Sequence, residues 1–315
     1  MLKYSDNLLI EAIGDEGIKI TQSKDGCDFI NYLKEVKTDQ NLKVSLQTDR
    51  FILVESEGIK SVRKNDSSVV LETVEGEYTL PVMRERGSLL VEPPVVLPGT
   101  DPESWEYDFS GKSINVSFSN SMSLASSMVI VGTDLAARSI NNVLEVYGDT
   151  STAKFSMTPK QFALAQKAGK SVVRYWSSGE VLIKGENGVE VAIKKTRPPL
   201  DVAGLETRLS SEAKTVEADL SSLKVKAFGK FIVEKLILSF TNGKATFITE
   251  SARKSIDCPG LELQEPLSLE IMAKDLKYVI GKVSIGPIVF SGQTRYIIRT
   301  EDKDKVIYVL VNKTV

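Results

Sequence analysis

The chain has no histidine in 315 residues. That removes Ser-His-Asp and Cys-His nucleophiles, zinc helices of the two-histidine type and the usual imidazole base near neutral pH. Carboxylate or lysine chemistry stays open, but no Asp/Glu set is spaced along strand ends for it, so the expectation is a protein that is not an enzyme. Cysteine is nearly absent: Cys27 and Cys258 stand alone in sequence, which gives neither a zinc site nor a disulfide framework and fits a reducing compartment. No apolar run approaches the roughly 20 residues of a membrane span. The opening MLKYSDNLLIEAIGDEG carries acids where a secretory signal has its apolar stretch. These lacks predict a cytoplasmic protein with no membrane role, no metal and no cofactor. Net charge is −2, so the whole chain is not a basic nucleic-acid binder, and any basic surface must be local.

What is present is repetition, at a length that allows two or three domains. A short amphipathic helix followed by alternating strands recurs three times. The second copy runs from Phe155 to Thr196, the third from Leu269 to Val315, and a weaker first copy from Ile18 to Lys64. A chain of repeated helix-and-sheet modules is a scaffold or binder whose function lies in its shape. Two proline-bearing linkers, Glu92 to Ser104 and Thr196 to Glu206, divide it into 1–91, 104–200 and 207–315.

The hairpin signals are specific. Val181 and Ile183 alternate with polar residues, as do Val189, Val191 and Ile193, around Asn187-Gly188. Leu236, Leu238 and Phe240 pair in the same way with Ala245 and Phe247 around Asn242-Gly243, because both turn residues must reach positive φ. Val70, Tyr78, Leu80 and Val82 suggest a hairpin around Glu75-Gly76, and Leu42-Val44-Leu46 with Phe51-Leu53 another across Thr48-Asp49. The Glu301–Lys305 run reads as a charged turn between two apolar strands, the last being Val306 to Val311 with both faces apolar.

The predicted helices are short. Thr158 is the N-cap and Pro159 the first residue of one that buries Phe162, Leu164 and Ala165 and ends at Gly169. Leu276, Val279 and Ile280 face inward on the third, which ends at Gly281, and Phe29, Ile30 and Leu33 on the first. Modules two and three have earlier halves: a strand (Trp105–Phe109, Thr215–Leu220), a weak helix (Ser110–Asn120, Ser221–Phe231), then further strands. The first module has only its opening residues for this half, so it is truncated or reshaped.

Lysines concentrate on these helices: Lys34 and Lys37; Lys160, Lys167 and Lys170, with no acid; Lys274, Lys277 and Lys282; and Lys112, Lys224, Lys226 and Lys230 in the early halves. Each set alone reads as a solvated face. Together they suggest one concave surface that meets phosphate without sequence readout. Ser110-Gly111-Lys112-Ser113 is not a phosphate loop, since Glu106 stands where the other glycine belongs. Tyr175 and Trp176 read as core or as base-stacking residues.

With these elements in order, the chain resembles the DNA sliding clamp family in its three-domain bacterial form, the β subunit of DNA polymerase III, as a divergent, phage-like member. The segment GTDLAARSI, Gly132 to Ile140, is similar to the clamp strand that ends in Thr-Asp before a basic-apolar turn. RPPLDVAGLE stands where the family has a Phe-Pro-Asp linker. Phe231 to Ile256 is similar to the start of the third clamp domain, and YVLVNKTV to the family's end. Asn312 replaces a usual proline, and Leu135-Ala136 a usual Gly-His. The resemblance implies an α+β fold of three tandem clamp-like domains, with antiparallel sheets outside and short helices inside, closing as a homodimer ring on double-stranded DNA. It also implies a pocket for short peptides of the polymerase and clamp loader, walled by Thr133, Leu135, Ala137, Arg138, Leu200, Val309, Val311 and Val315. The valines equally read as core. The competing expectation is a β-rich structural or assembly protein of a phage particle with no DNA role.

Overall fold

The computed structural model describes residues 2–14, 17–85, 88–89, 91–110, 128–140, 142–199, 201, 203–204, 207, 215–222, 235–249, 253–290, 293–303 and 305–314. The first stretch holds β1 (Asn7–Ala12), β2 (Gly17–Lys24), β3 (Cys27–Lys34), β4 (Lys37–Thr38), β5 (Lys43–Gln47), α1 (Thr48–Glu55), β6 (Ile59–Lys64), β7 (Ser68–Thr73) and β8 (Glu77–Pro81). A small ribbon follows, β9 (Arg84–Glu85) and β10 (Ser88–Leu89). The second stretch holds β11 (Glu103–Asp108), β12 (Met128–Gly132), β13 (Leu135–Ile140), β14 (Val143–Gly148), β15 (Ala153–Met157), α2 (Pro159–Ala168), β16 (Lys170–Tyr175), β17 (Val181–Gly185) and β18 (Glu190–Ile193). The third holds β19 (Val216–Asp219), β20 (Lys235–Thr241), β21 (Lys244–Ile248), β22 (Arg253–Asp257), β23 (Leu267–Met272), a 3-10 helix (Ala273–Tyr278), β24 (Lys282–Phe290), β25 (Gln293–Asp302) and β26 (Lys305–Lys313).

Two pairing rules organise these strands. Each stretch contains two three-strand meanders: β1–β3 and β6–β8, β12–β14 and β16–β18, β20–β22 and β24–β26. The first strand of a meander takes a lone strand from the other half of its stretch. Thus β5 lies on β1, β11 on β16, β15 on β12, β19 on β24 and β23 on β20, all antiparallel. β6 is the exception, since β4 covers it in parallel at Ser61 and Val62 alone. The last strands then join neighbouring stretches. β3 pairs β18, and β14 pairs β26, both antiparallel. The chain divides into two compact units, residues 1–116 with 160–197, and 117–159 with 198–315.

The helix α2 follows from local chemistry. Pro159 has its φ fixed for a first turn, Phe162, Leu164 and Ala165 are fully buried, and Gly169 takes φ +67° to stop the helix. Gly132 serves close approach instead. A Cβ there would sit 2.3 Å from the carbonyl oxygen of Thr152, so no other residue lets β12 run this near the turn that leads into β15.

Three expectations are corrected. The first helix is not at Phe29–Leu33, which lies in β3. The 92–104 segment lies against its Asp28 face, where the Val95 N–H bonds Asp28, so Cys27, Asp28, Phe29 and Ile30 are buried in succession and lose the alternation that marks a strand. The first helix is instead α1, where Thr48, Phe51 and Val54 are buried at helical spacing and Leu53 is exposed, so the hairpin across Thr48-Asp49 does not form. In the third module the helix is of the 3-10 type. Leu276 and Val279 are buried as expected, but Ile280 is exposed. The hairpins around Glu75-Gly76, Asn187-Gly188, Asn242-Gly243 and Lys303 form as the sequence indicates. The early-half helices fall almost wholly outside the described residues.

Candidate functional site

The lysines divide into three groups. Lys160, Lys167 and Lys170 are exposed on α2 and its end, Lys274 and Lys277 on the 3-10 helix, and Lys282 at the start of β24. Lys34 ends β3 and Lys37 opens β4, so neither is a helix residue, which corrects their assignment to the first helix. α1 carries Arg50 and no lysine. Lys112, Lys224, Lys226 and Lys230 lie outside the described residues. Two of the exposed lysines are steadied by rings. Lys160 Nζ stands 4.6 Å from the centre of the Tyr4 ring and Lys277 Nζ 4.7 Å from that of Tyr278, close enough for cation–π attraction.

The residues expected to wall the peptide pocket are described only in part. Val309 and Val311 are buried in the apolar cluster of the third stretch with Leu236, Leu269 and Ile271. Ile307, Val309 and Val311 pack on one face of β26, and Val306, Tyr308 and Leu310 pack on the other, because an apolar cluster lies on each side of the strand. Leu135, Ala137 and Arg138 lie on β13 opposite Gly148, Val146 and Glu145 of β14. Thr133 is exposed beyond β12, and Leu200 and Val315 lie outside the described residues.

A cavity of about 230 Å³ does open at the end of β26, beside the β14–β26 seam. Its lining includes Asn142, Lys235, Glu270, Asp275, Arg295 and Val311. Lys235 Nζ is 3.0 Å from Glu270 Oε1, so these two charges offset each other. Asp275 is only 8% exposed, and burial raises its carboxyl pKa against the opposing pull of Lys274 and Lys277. Arg295 has no ion-pair partner among the described residues. The lining thus offers a buried acceptor and a guanidinium beside the apolar Ile271, Met272, Leu310 and Val311.

A second cavity, of about 600 Å³, lies at the β3–β18 seam. It is lined by Tyr32, Leu33, Lys34, Glu55, Ile59 and Glu186, with Val36, Gly58, Asn187 and Gly188. The Tyr32 hydroxyl donates to Glu190 Oε2 at 3.1 Å. Burial, then the Glu190 charge, pushes this phenol up to about 12.

Solved structures share this arrangement. The DNA polymerase III subunit beta from Pseudomonas aeruginosa matches with a TM-score of 0.65 at 10% identity, over 100% of this chain and 93% of that one. The pol III beta of Caulobacter crescentus gives 0.67 at 10%, over the same shares, and a Streptococcus pneumoniae beta chain 0.63 at 11%, over 98% and 92%. The chain has the fold of the DNA polymerase III sliding clamps. No protein-family model and no curated protein matches the sequence, so the clamp likeness is one of fold.

Within this clamp fold, three features escaped the sequence reading. Asp28 on β3 is buried, and its Oδ2 accepts the Val95 N–H at 2.7 Å, which fixes the 92–104 segment to the sheet. Aspartate is depleted in strands, but nothing in its spacing announces this role. Trp176 is buried and donates from Nε1 to the Thr100 carbonyl at 2.8 Å. Its burial agrees with the core reading of the sequence, and the contact that anchors the same segment is what the sequence did not show. Cys27 is a buried core thiol, pushed by burial up to about 12, and therefore unreactive. Among the described residues no helix is long and apolar enough to cross a membrane.

Proposed function

We propose that this protein is a sliding clamp and processivity factor. Two chains close head to tail into a ring around duplex DNA, sheets outward and helix lysines inward, and hold the replicative polymerase and its loader through short peptides. Three clamp-like domains, 1–91, 104–200 and 207–315, make up each chain, the first reshaped where β4 stands in for a longer strand. No catalysis is involved. The lysines screen phosphates without gripping them, which lets the ring slide, and the polymerase stays because its peptide is held in the cavity at the end of β26.

One observation carries this reading: the pairing rule of the last strands. β3 and β14 end first meanders, and each pairs the last strand of a second meander, β18 or β26. One strand of each kind remains, β22 and β8, each with a single neighbour in its sheet. A surface and its complement on one chain make a heterologous contact, and such a contact gives a ring when the rotation between copies closes. The N–H of Cys258 bonds the Gly243 carbonyl at 2.8 Å, so by alternation the N–H groups of Arg253, Ser255 and Asp257 point away from β21, toward a strand still to come. Exposed Arg253 on β22 and Glu77 on β8 blunt these edges against indiscriminate pairing.

The test is retention. The wild type, placed on nicked circular DNA by a loader, should stay at salt that strips ordinary binders and leave when the circle is cut. Light scattering should give a mass near twice 34.6 kDa. Ser255→Pro removes an outward N–H and should leave single chains that no longer stay on the circle. A wild-type chain that is monomeric, or that leaves circular and linear DNA alike, overturns the reading and favours a particle-assembly role.

A further inference from the structure

We propose that the cavity at the β3–β18 seam is a second docking seat, one that takes a short extended segment of a partner protein bearing a basic side chain and adds it along the open start of β6. The two seam cavities occupy equivalent places. Each is bounded by the end of a last strand (β3 or β26), the start of a first strand in the other meander (Ile59 of β6, or Lys235 of β20), and the hairpin turn of the second stretch (Glu186 to Gly188, or Asn142). They differ in what fills them. In the β26 cavity, the end of β23 and the 3-10 helix contribute Glu270, Ile271, Met272 and Asp275. No residue of β4, the strand that lies on β6 across from β7, is among those lining the β3 cavity. The space is about 600 Å³ where its counterpart is about 230 Å³.

The vacancy has a backbone template. A lone strand lies antiparallel along β16 and along β24, but β4 covers only Ser61 and Val62 of β6. Ile59 and Lys60 therefore have no strand neighbour on that side among the described residues, and a sheet edge beside a cavity is a site for strand addition. Leu33 and Ile59 give the added strand apolar contact on one side. Charge selects its side chains. Glu186 is exposed at a turn with no ion-pair partner among the described residues, and Glu55 and Lys34 line the same space. The lining favours a lysine or arginine over an acid.

The proposal takes from the proposed function only the idea that seam cavities seat peptide strands, and its test stands apart from the ring. Two blocked, fluorescent hexapeptides serve as probes, one alternating valine with lysine and one valine with glutamate. Anisotropy should show the lysine probe binding the full-length wild type more tightly. Glu186→Lys, at an exposed turn position, should reverse the order by about tenfold, or ~1.4 kcal/mol, while retention on circular DNA is unchanged. Hydrogen exchange should slow at 58–60 with the lysine probe bound. Asp275→Asn and Arg295→Ala, at the other seam, should leave this binding alone. No binding, or equal binding of both probes to wild type and Glu186→Lys, overturns the seat. The reversal in a protein that fails to stay on circular DNA keeps the seat and removes the clamp reading; retention without the reversal does the opposite.

Discussion

The two seams that join neighbouring stretches are built from the same parts and held by different means. Each buries one carboxylate from the last strand of a second-stretch meander: Glu190 at β18–β3, Glu145 at β14–β26. Each carboxylate has a lysine, 3.0 Å away for Lys184 and 3.2 Å for Lys305. The difference is where the lysine comes from. Lys184 is on β17, within the same meander as Glu190, so that ion pair spans no boundary. What crosses the seam there is the neutral Tyr32 hydroxyl. Lys305 belongs to β26, so at the other seam the ion pair itself is the crossing. The Glu145 side chain is 5% exposed and that of Lys305 20%, whereas Lys184 is 60% exposed. An ion pair out of water is costly to break because it strands a charge; one in water is worth little. The second seam should therefore be the brittle one.

Lys305→Met tests this most severely. It keeps the apolar stem and removes the cation that reaches buried Glu145 across the seam, at a loss of about 3 kcal/mol, visible as a lower urea midpoint. Burial pulls the Lys305 ammonium down, but the hydrogen bond and charge of Glu145 outweigh it, and its pKa lies above the ordinary lysine value of 10.5. A base raised in the folded state stabilises fully below its unfolded pKa, so the contribution holds below about pH 10.5 and disappears as pH climbs through the raised value. The variant should lack that alkaline slope. Unfolding of Lys305→Met at the wild-type midpoint would mean the seam is held by its apolar face, Leu144, Val146, Ile288 and Tyr308.

How much of this was legible beforehand follows from which surfaces water touches. Hairpins with one solvated face, such as Val181–Ile193 and Leu236–Phe247, show their alternation and their Asn-Gly turns in the sequence. β3 does not, because a strand buried on both faces replaces alternation with a run, and Phe29, Ile30 and Leu33 then imitate a helix. α1 fails the other way: eight residues with one exposed leucine look as much like a strand edge as a helix. The seams were invisible, since Glu145 pairs with a residue 160 positions away and no local pattern encodes that. The same distance effect hid the two cavities, whose linings are assembled from strand ends and turns. Only the terminal strand's proximity to a cavity could be anticipated, and its valines proved to face inward.

Tyr32→Phe probes the crossing contact of the first seam. It removes one hydrogen bond to a buried carboxylate and leaves the ring in place, a loss of about 1.5 kcal/mol in the same urea experiment. The phenol titrates at about 12, above its ordinary 10.0. For an acid held protonated in the folded state, the unfolded chain ionises first. The contribution is thus whole below pH 10 and shrinks as pH rises from there toward 12. Phenylalanine should abolish that dependence while leaving the slope due to Lys305 intact, which separates the two seams in one titration series.

Lys184→Ala is the smallest effect and the sharpest discriminator. If buried carboxylates alone decided the matter, removing Lys184 should hurt as much as removing Lys305, because Glu190 and Glu145 are about equally enclosed. Exposure of the cation argues otherwise. Lys184 stands mostly in water, so its attraction to Glu190 is screened and its loss lets water approach the carboxylate from the same side, while the Tyr32 hydroxyl still donates. The expected change is about 0.5 kcal/mol or less. A loss as large as that of Lys305→Met would show that the location of the cation, within a meander or across a seam, makes no difference, and the contrast between the seams would fall.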